Sequence, residues 1–218
     1  QTFMILLPQW HLLKQPWNQA GRVVLFLKNT RAKRTGLANW YASKENKMKH
    51  NGHNHNLSCS VDFDKLGKQI GSFDIPLSVH DDAWGVVRVP ITLISNGNGP
   101  TVILEGGNHG DEYEGPIVLG EMIRDLNVED VNGRLIIIPV INTPAVGAAC
   151  RVSPIDGVNM NHSFPGDFQG TTTQQISAFV NHVLFPLADV FLDLHSGGSS
   201  LDIIPSSVIE PVKDPDLN

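Results

Sequence analysis

Residues 101–126 read TVILEGGNHGDEYEGPIVLGEMIRDL. The run TVILE at 101–105 is apolar with little polar alternation, the pattern of a strand covered on both faces in a mostly parallel sheet. From Gly115 the period changes. Ile117, Val118, Leu119, Met122, Ile123 and Leu126 recur at helical spacing, and Pro116 suits a first helical turn. Between the two patterns, Gly106–Gly115 sets a histidine and three carboxylates among four glycines. A plain turn needs neither the histidine nor that much acid. A strand feeding a helix through such a loop is the repeating unit of an α/β fold, and ligands collect beyond the carboxyl ends of strands in open α/β sheets.

The flanking chain extends this pattern. RLIIIPVI at 134–141 reads as a second buried strand. A loop of some thirty residues, rich in Gly, Pro, Asn and Asp, then runs from 142 to about 173, and loops of that length in compact domains tend to carry function. TTTQQISAFVNHVLFPLA at 171–188 reads as a threonine-capped helix with Ile176, Phe179, Val180, Val183 and Leu184 on its apolar side. DVFLDLHSGG is a strand running into a glycine turn, and LDIIP at 201–205 reads as the start of another strand. Upstream, SVDFD at 60–64 and GSFDIPLSVHDDAW at 71–84 read as short strands broken by turns. GVVRVPITLI at 85–94 reads as a strand in which Pro90 marks an edge or a bend. The whole predicts an α/β sandwich around a mostly parallel sheet.

Composition narrows the function classes. Of 218 residues, 41% are hydrophobic and 17% charged, which suits a globular domain rather than a disordered chain. No window approaches eighteen uninterrupted apolar residues, so no membrane partner is expected. Residues 1–50 carry nine Lys/Arg against one Glu, whereas the remainder carries seven against 21 acids. An acidic body argues against a nucleic-acid partner. Residues 1–57 are read as a basic, polar N-terminal extension, non-native before Met48, and residues 58–218 as the N-terminal part of a catalytic domain. Two cysteines, Cys59 and Cys150, make no disulfide framework and fit a reducing, cytoplasmic setting. Self-association into a homo-oligomer is compatible with the sequence and is not specified by it.

Three residues from two segments form a candidate metal site. Catalytic zinc takes three protein ligands and keeps one position open, and two histidines with a glutamate are one accepted set. His109 and Glu112 are three apart, so a tight turn lets both point inward. His195 can arrive from another strand end. Asp111 or Asp193 could support a ligand imidazole from behind. HGDE alone reads equally as a helix start with carboxylates favoured by the helix dipole, and His195 alone as a hydrogen-bonded strand-end histidine.

GGNHGDEYEGP, the Asn142–Pro144 segment, RVSPIDGVNMNHSFPG and DLHSGG together resemble the succinylglutamate desuccinylase/aspartoacylase family, which is related to zinc carboxypeptidases. The resemblance covers roughly residues 60–210 and is strongest to the bacterial branch that deacetylates N-acetyl-diaminobutyrate in ectoine breakdown. It implies a zinc-carboxypeptidase-like α/β/α sandwich with a mostly parallel or mixed central sheet, incomplete at the C-terminus. It implies one zinc ion per chain held by His109, Glu112 and His195. Arg151 matches the arginine that polarises the scissile carbonyl. Asn161 and the residue after it match an Asn-Arg pair that binds the substrate carboxylate, but here that residue is His162. Histidine offers neither the bidentate fork nor the permanent charge of arginine.

The implied reaction is hydrolysis of the amide bond of a small N-acyl amino acid by metal-activated water. The family's general-base glutamate lies well downstream of the third ligand. The resemblance therefore implies a truncated chain that binds zinc but turns over poorly. The alternatives are a zinc carboxypeptidase acting on peptides, or a non-catalytic module that binds a metal or small molecule.

Overall fold

The computed structural model describes residues 24–29, 49–50, 53–54, 57–80 and 82–209. Most of the predicted extension at 1–57, Met48 included, lies outside the described residues. Ten strands and three α-helices are described: β1 (Val24–Asn29), β2 (Lys49–His50), β3 (His53–Asn54), β4 (Ser58–Cys59), β5 (Gly67–Val79), β6 (Asp82–Asn96), β7 (Thr101–Gly106), α1 (Glu114–Asp125), β8 (Gly133–Ile138), α2 (Thr143–Gly147), α3 (Thr172–Phe179), β9 (Val190–His195) and β10 (Ser206–Ile209). Eight strands form one sheet in the order β10-β1-β9-β7-β8-β6-β5-β4, and β2 with β3 forms a separate pair.

The sheet is mixed. β7 runs parallel to both β8 and β9, while β6 pairs antiparallel with β8 and with β5. Of these three parallel strands, β7 and β8 are the ones read as buried runs. β1, within the segment read as an extension, pairs antiparallel with β9 and parallel with β10.

Burial alternates along the central strands and assigns each face. Ile103, Ile136, Ile138 and Phe191 join the larger core with Ile176, Phe179, Val180, Val183 and Leu184 from the α3 segment. Phe73 of β5 stacks on Phe179 with ring centroids 4.2 Å apart. Fully burying a side chain of this size contributes roughly 1.5–3 kcal/mol. Leu104, Leu135, Leu192 and Leu194 point the other way and pack with Leu119, Met122 and Ile123 of α1. Lys68 seats the far end of α1 by donating to Ile123 O at 2.5 Å and Leu126 O at 2.8 Å, carbonyls that the helix end leaves unpaired.

Several local expectations are corrected. Residues 60–64 form a turn rather than a strand, the nearest strand being β4. The broken strands expected over 71–84 are one long hairpin, β5 running from Gly67 to Val79. Gly71 and Pro76 lie within it, opposite Ile91 and Val86 in the long pairing with β6. Pro90 does sit at an effective edge. β8 pairs only with Thr92–Asn96, which leaves Pro90 with β5 alone for a neighbour. LDIIP at 201–205 is irregular, and the strand starts at Ser206, where β1 provides a partner. The helix from Thr172 opens with a capping box between Thr171 and Gln174 and then widens to a π-turn over Val180–Leu184. It tightens to a 3-10 turn at Phe185–Leu187, where Pro186 has no N–H to continue it.

The loop from 142 is better ordered than a structureless thirty residues. It holds α2 and a 3-10 turn at Met160–His162. Asp156 ties it to the start of α3, accepting from the Thr173 amide at 2.7 Å and the Thr173 hydroxyl at 2.9 Å. Burial works against charge on Asp156, but these bonds prevail and hold its carboxyl below the usual range. Gly166 (φ 84°) lies against the α3 backbone at Gln174 and Ala178, where a side chain has no room.

Candidate metal centre

β7 and β9 end side by side, Gly106 opposite Leu194. The chain leaving β7 makes a tight turn that carries His109 and Glu112 before α1 begins, and His195 is the last residue of β9. The turn is zipped to the start of the long loop. Ile141 N donates to Gly106 O (2.9 Å), Asn142 N to Gly107 O (3.2 Å), and Gly110 N to Cys150 O (3.0 Å). Asn142 Nδ2 donates to Asn108 O at 3.2 Å, while its Oδ1 caps α2 through the Ala145 amide. Gly110 packs on the carbonyl of Ala145 so closely that any Cβ would collide with it. This contact brings Arg151 to the site.

The two imidazoles turn onto one carboxylate. His109 Nδ1 is 2.7 Å from Glu112 Oε1, and His195 Nδ1 is 2.8 Å from Glu112 Oε2. One ligand atom from each of the three lies within 4.8 Å of the others, and the ring centroids are 5.0 Å apart. His109, Glu112 and His195 are 2%, 4% and 5% exposed, so the cluster is buried and not a surface ion pair. Both Nε2 atoms have partners of their own. His195 Nε2 donates to Asp193 Oδ2 at 2.7 Å, and His109 Nε2 lies 3.3 Å from Asn159 Oδ1. A metal on Nδ1 would leave the proton of each ring on Nε2, with an oxygen standing behind each ring to receive it. The Ser196 amide donates to Glu112 Oε2 at 3.0 Å and orients the carboxylate.

In the metal-free protein these groups hold charge against burial. Burial alone would raise the pKa of Glu112, yet the bonds from His109, His195 and the Ser196 amide bring it down to about 2. Burial would likewise lower that of His195, and the bonds to Asp193 and Glu112 raise it to about 10. Such a constellation of strongly shifted, buried groups is a mark of a functional site. Two nitrogens and a carboxylate are the donor set of catalytic zinc, and they fit one ion of that kind. Burial lifts the Cys59 thiol to about 11, so it offers no thiolate at neutral pH.

The structure brings Arg151 to the same place. Its Nη1 lies 3.3 Å from Glu112 Oε1 while the side chain stays 57% exposed, so it bridges the buried cluster and the solvent side. Asn161 is adjacent, with Nδ2 3.4 Å from His109 Nε2. His162 follows on the same 3-10 turn and is exposed. Of the two acids expected behind the imidazoles, only Asp193 takes that place. Asp111 is turned away, accepting from the Ser199 amide and hydroxyl, both at 3.1 Å. Glu114 is a first-turn helix residue that accepts from the Ser196 hydroxyl.

Sequence reasoning missed Asn159. Its side-chain oxygen accepts from the Asn161 amide, capping the 3-10 turn, and lies 3.3 Å from His109 Nε2, so one atom meets both the turn and the ring. The available signal was Asn159 itself, a capping residue type standing two before Asn161 in VNMN.

Residues 98–216 match the succinylglutamate desuccinylase/aspartoacylase catalytic domain. The N-alpha-acetyl-L-2,4-diaminobutyric acid deacetylase of Halomonas elongata is 49% identical over 158 residues, which are 72% of this chain and 46% of that protein. The product-bound ectoine utilization protein EutE (DoeB) of Ruegeria pomeroyi is 46% identical with a TM-score of 0.63, covering 65% of this chain and 43% of that one. A succinylglutamate desuccinylase/aspartoacylase from Rhodobacter sphaeroides is 46% identical with a TM-score of 0.64, covering 65% and 44%. The chain spans somewhat under half the length of these relatives. With the matched domain spanning the turn, the loop and β9, the chain belongs to the succinylglutamate desuccinylase/aspartoacylase family.

Proposed function

We propose that this chain carries the metal centre and part of the substrate site of an amidohydrolase acting on small N-acyl amino acids, with N-acetyl-diaminobutyrate as the leading substrate. The observation that carries the reading is the pair of Nδ1 atoms facing one Glu112 carboxylate, with Arg151 on its solvent side. The named activity of the Halomonas elongata relative supports the choice of substrate. When bound, a divalent ion supplies Lewis acidity and lowers the pKa of a coordinated water.

The chain's own residues supply the rest. Arg151 presents a permanent positive charge beside the cluster, where the amide oxygen gains negative charge during hydrolysis. Asn161 and His162, on the exposed 3-10 turn, receive the substrate carboxylate. Without a guanidinium fork at position 162, that carboxylate is held less rigidly, which raises KM before it lowers kcat. Asp193 and Asn159 keep the two rings from turning.

Among the described residues no helix is long and apolar enough to cross a membrane. Both cysteines are unpaired, which supports a cytoplasmic location.

The test is a hydrolysis assay on zinc-loaded protein, using this chain and the longest protein that carries it. It offers N-acetyl-diaminobutyrate, N-acetyl-aspartate, N-succinyl-glutamate and a short peptide. Release of acetate from the first, abolished by a chelator and restored by zinc, is the expected outcome. Cleavage of the peptide alone would replace this reading with a carboxypeptidase, and inertness of the longest metal-loaded protein toward all four would end it.

A further inference from the structure

Glu105 occupies a position that strand alternation reserves for an apolar residue. It points to the same face as Ile103, Ile136 and Phe191, beside Ile138 on one side and Asp193 on the other. It is fully buried, and neither carboxyl oxygen has a hydrogen-bond donor. Its strand neighbour Asp193 is buried too. Oδ2 of Asp193 receives His195 Nε2, whereas Oδ1 has no donor. Glu105 and Asp193 are paired across adjacent strands, and an ionised Glu105 would be a buried anion with neither solvent nor a donor on its oxygens. A proton on Glu105 removes that cost and gives the unpartnered Asp193 Oδ1 a donor.

We propose that Glu105 is a positioning residue for the metal centre: its carboxyl O–H donates to the otherwise unpartnered Asp193 Oδ1 and so fixes the Asp193 side chain with Oδ2 on the Nε2–H of His195. The inference rests on the metal-centre reading and adds to it a third layer behind His195. The chain of contacts then runs from a core acid, through an aspartate and an imidazole, to the ligand atom Nδ1. Burial pushes the Glu105 carboxyl well above the usual carboxylate range, the neighbouring Asp193 charge pushes it further, and His195 opposes them. A neutral acid is also the form that costs less to bury among Ile103 and Ile138. Gln is its closest uncharged mimic, since its amide N–H can donate where the acid O–H does.

The experiment compares zinc dissociation constants, by competition with a chromogenic chelator, for the parent chain, Glu105→Gln and Glu105→Leu. Thermal unfolding of each metal-free protein is measured alongside. Loss of an outer partner costs metal affinity roughly 10–100-fold, and a residue one contact further out is expected at the lower end, about tenfold for Glu105→Leu. Glu105→Gln is expected to bind zinc within a small factor of the parent. Cobalt-loaded Glu105→Leu is expected to show a shifted visible absorption spectrum, and Glu105→Gln the parental one. Unchanged affinity and spectrum in Glu105→Leu would overturn the inference. So would a Glu105→Gln defect as large as that of Glu105→Leu, which would mean that the anion is what matters. If Glu105→Leu fails to fold, Glu105→Gln alone decides by the same criterion. Failure of the parent chain to bind zinc would instead remove the metal-centre reading beneath it.

Discussion

Glu112→Gln abolishes stoichiometric zinc binding while leaving a folded protein. Glu112 is the hub of the site: His109, His195, Arg151 and the Ser196 amide all converge on its carboxylate. Glutamine matches its shape and keeps one acceptor oxygen, so the packing is kept while the donors on the other oxygen lose their acceptor. It removes the anion, and with it the charge that a divalent ion needs beside two neutral imidazoles. The effect exceeds the roughly 10–100-fold that follows loss of an outer-shell partner, because a direct ligand is lost. The free protein changes as well. The ion pair with Glu112 helps to hold the His195 pKa at about 10, and zinc must displace that proton from Nδ1 to bind. In the variant His195 gives up its proton more readily, yet binding still fails, which separates loss of a ligand from a protonation effect. Chelator competition with unfolding curves at matched pH reads both. A variant that retains tight binding would exclude Glu112 as a ligand.

Arg151→Ala lowers kcat about 10²–10³-fold in the metal-loaded amidohydrolase, the range for losing one group that stabilises the developing oxyanion. Zinc affinity stays close to the parent, since Arg151 only borders the cluster through one 3.3 Å contact and most of its side chain is exposed. Arg151→Lys recovers little, because a single ammonium cannot hold Glu112 and face a substrate oxygen at once. Steady-state kinetics on Arg151→Ala and Arg151→Lys, with metal content measured in parallel, gives the answer. Parental kcat in Arg151→Ala would remove it from the reaction, and a matching loss of zinc would recast it as a support for the metal.

Some elements were legible because one physical signal dominated them. β7, the glycine turn and α1 follow from a period change with small residues between, and the helical spacing of Leu119, Met122 and Ile123 names the face that packs on the sheet. β9 was equally plain. The β5–β6 hairpin was not, because Gly71, Asp74 and Pro76 resemble turn residues, and only the long pairing with β6 makes them strand. The strand at Ser206–Ile209 was misplaced toward LDIIP for the complementary reason: apolar residues suggested a strand where, among the described residues, no partner runs. At the site, the three ligand candidates stood out by residue type and position. Asn159 did not, since an asparagine in a polar loop has many uses and only the fold puts its oxygen against His109. Glu105 was hidden in the opposite way. At the end of an apolar run it reads as the strand's exit, yet the alternation of β7 turns it into the core.

The central claim is that His109, Glu112 and His195 share one divalent ion, and X-ray absorption at the zinc edge of the loaded protein tests it most directly. The predicted result is one ion per chain, surrounded by nitrogen and oxygen at roughly 2.0–2.2 Å, with the outer-shell scattering of two imidazoles and no sulfur near 2.3 Å. Sulfur in the first shell, scattering from fewer than two imidazoles, or a spectrum unchanged by Glu112→Gln would contradict it.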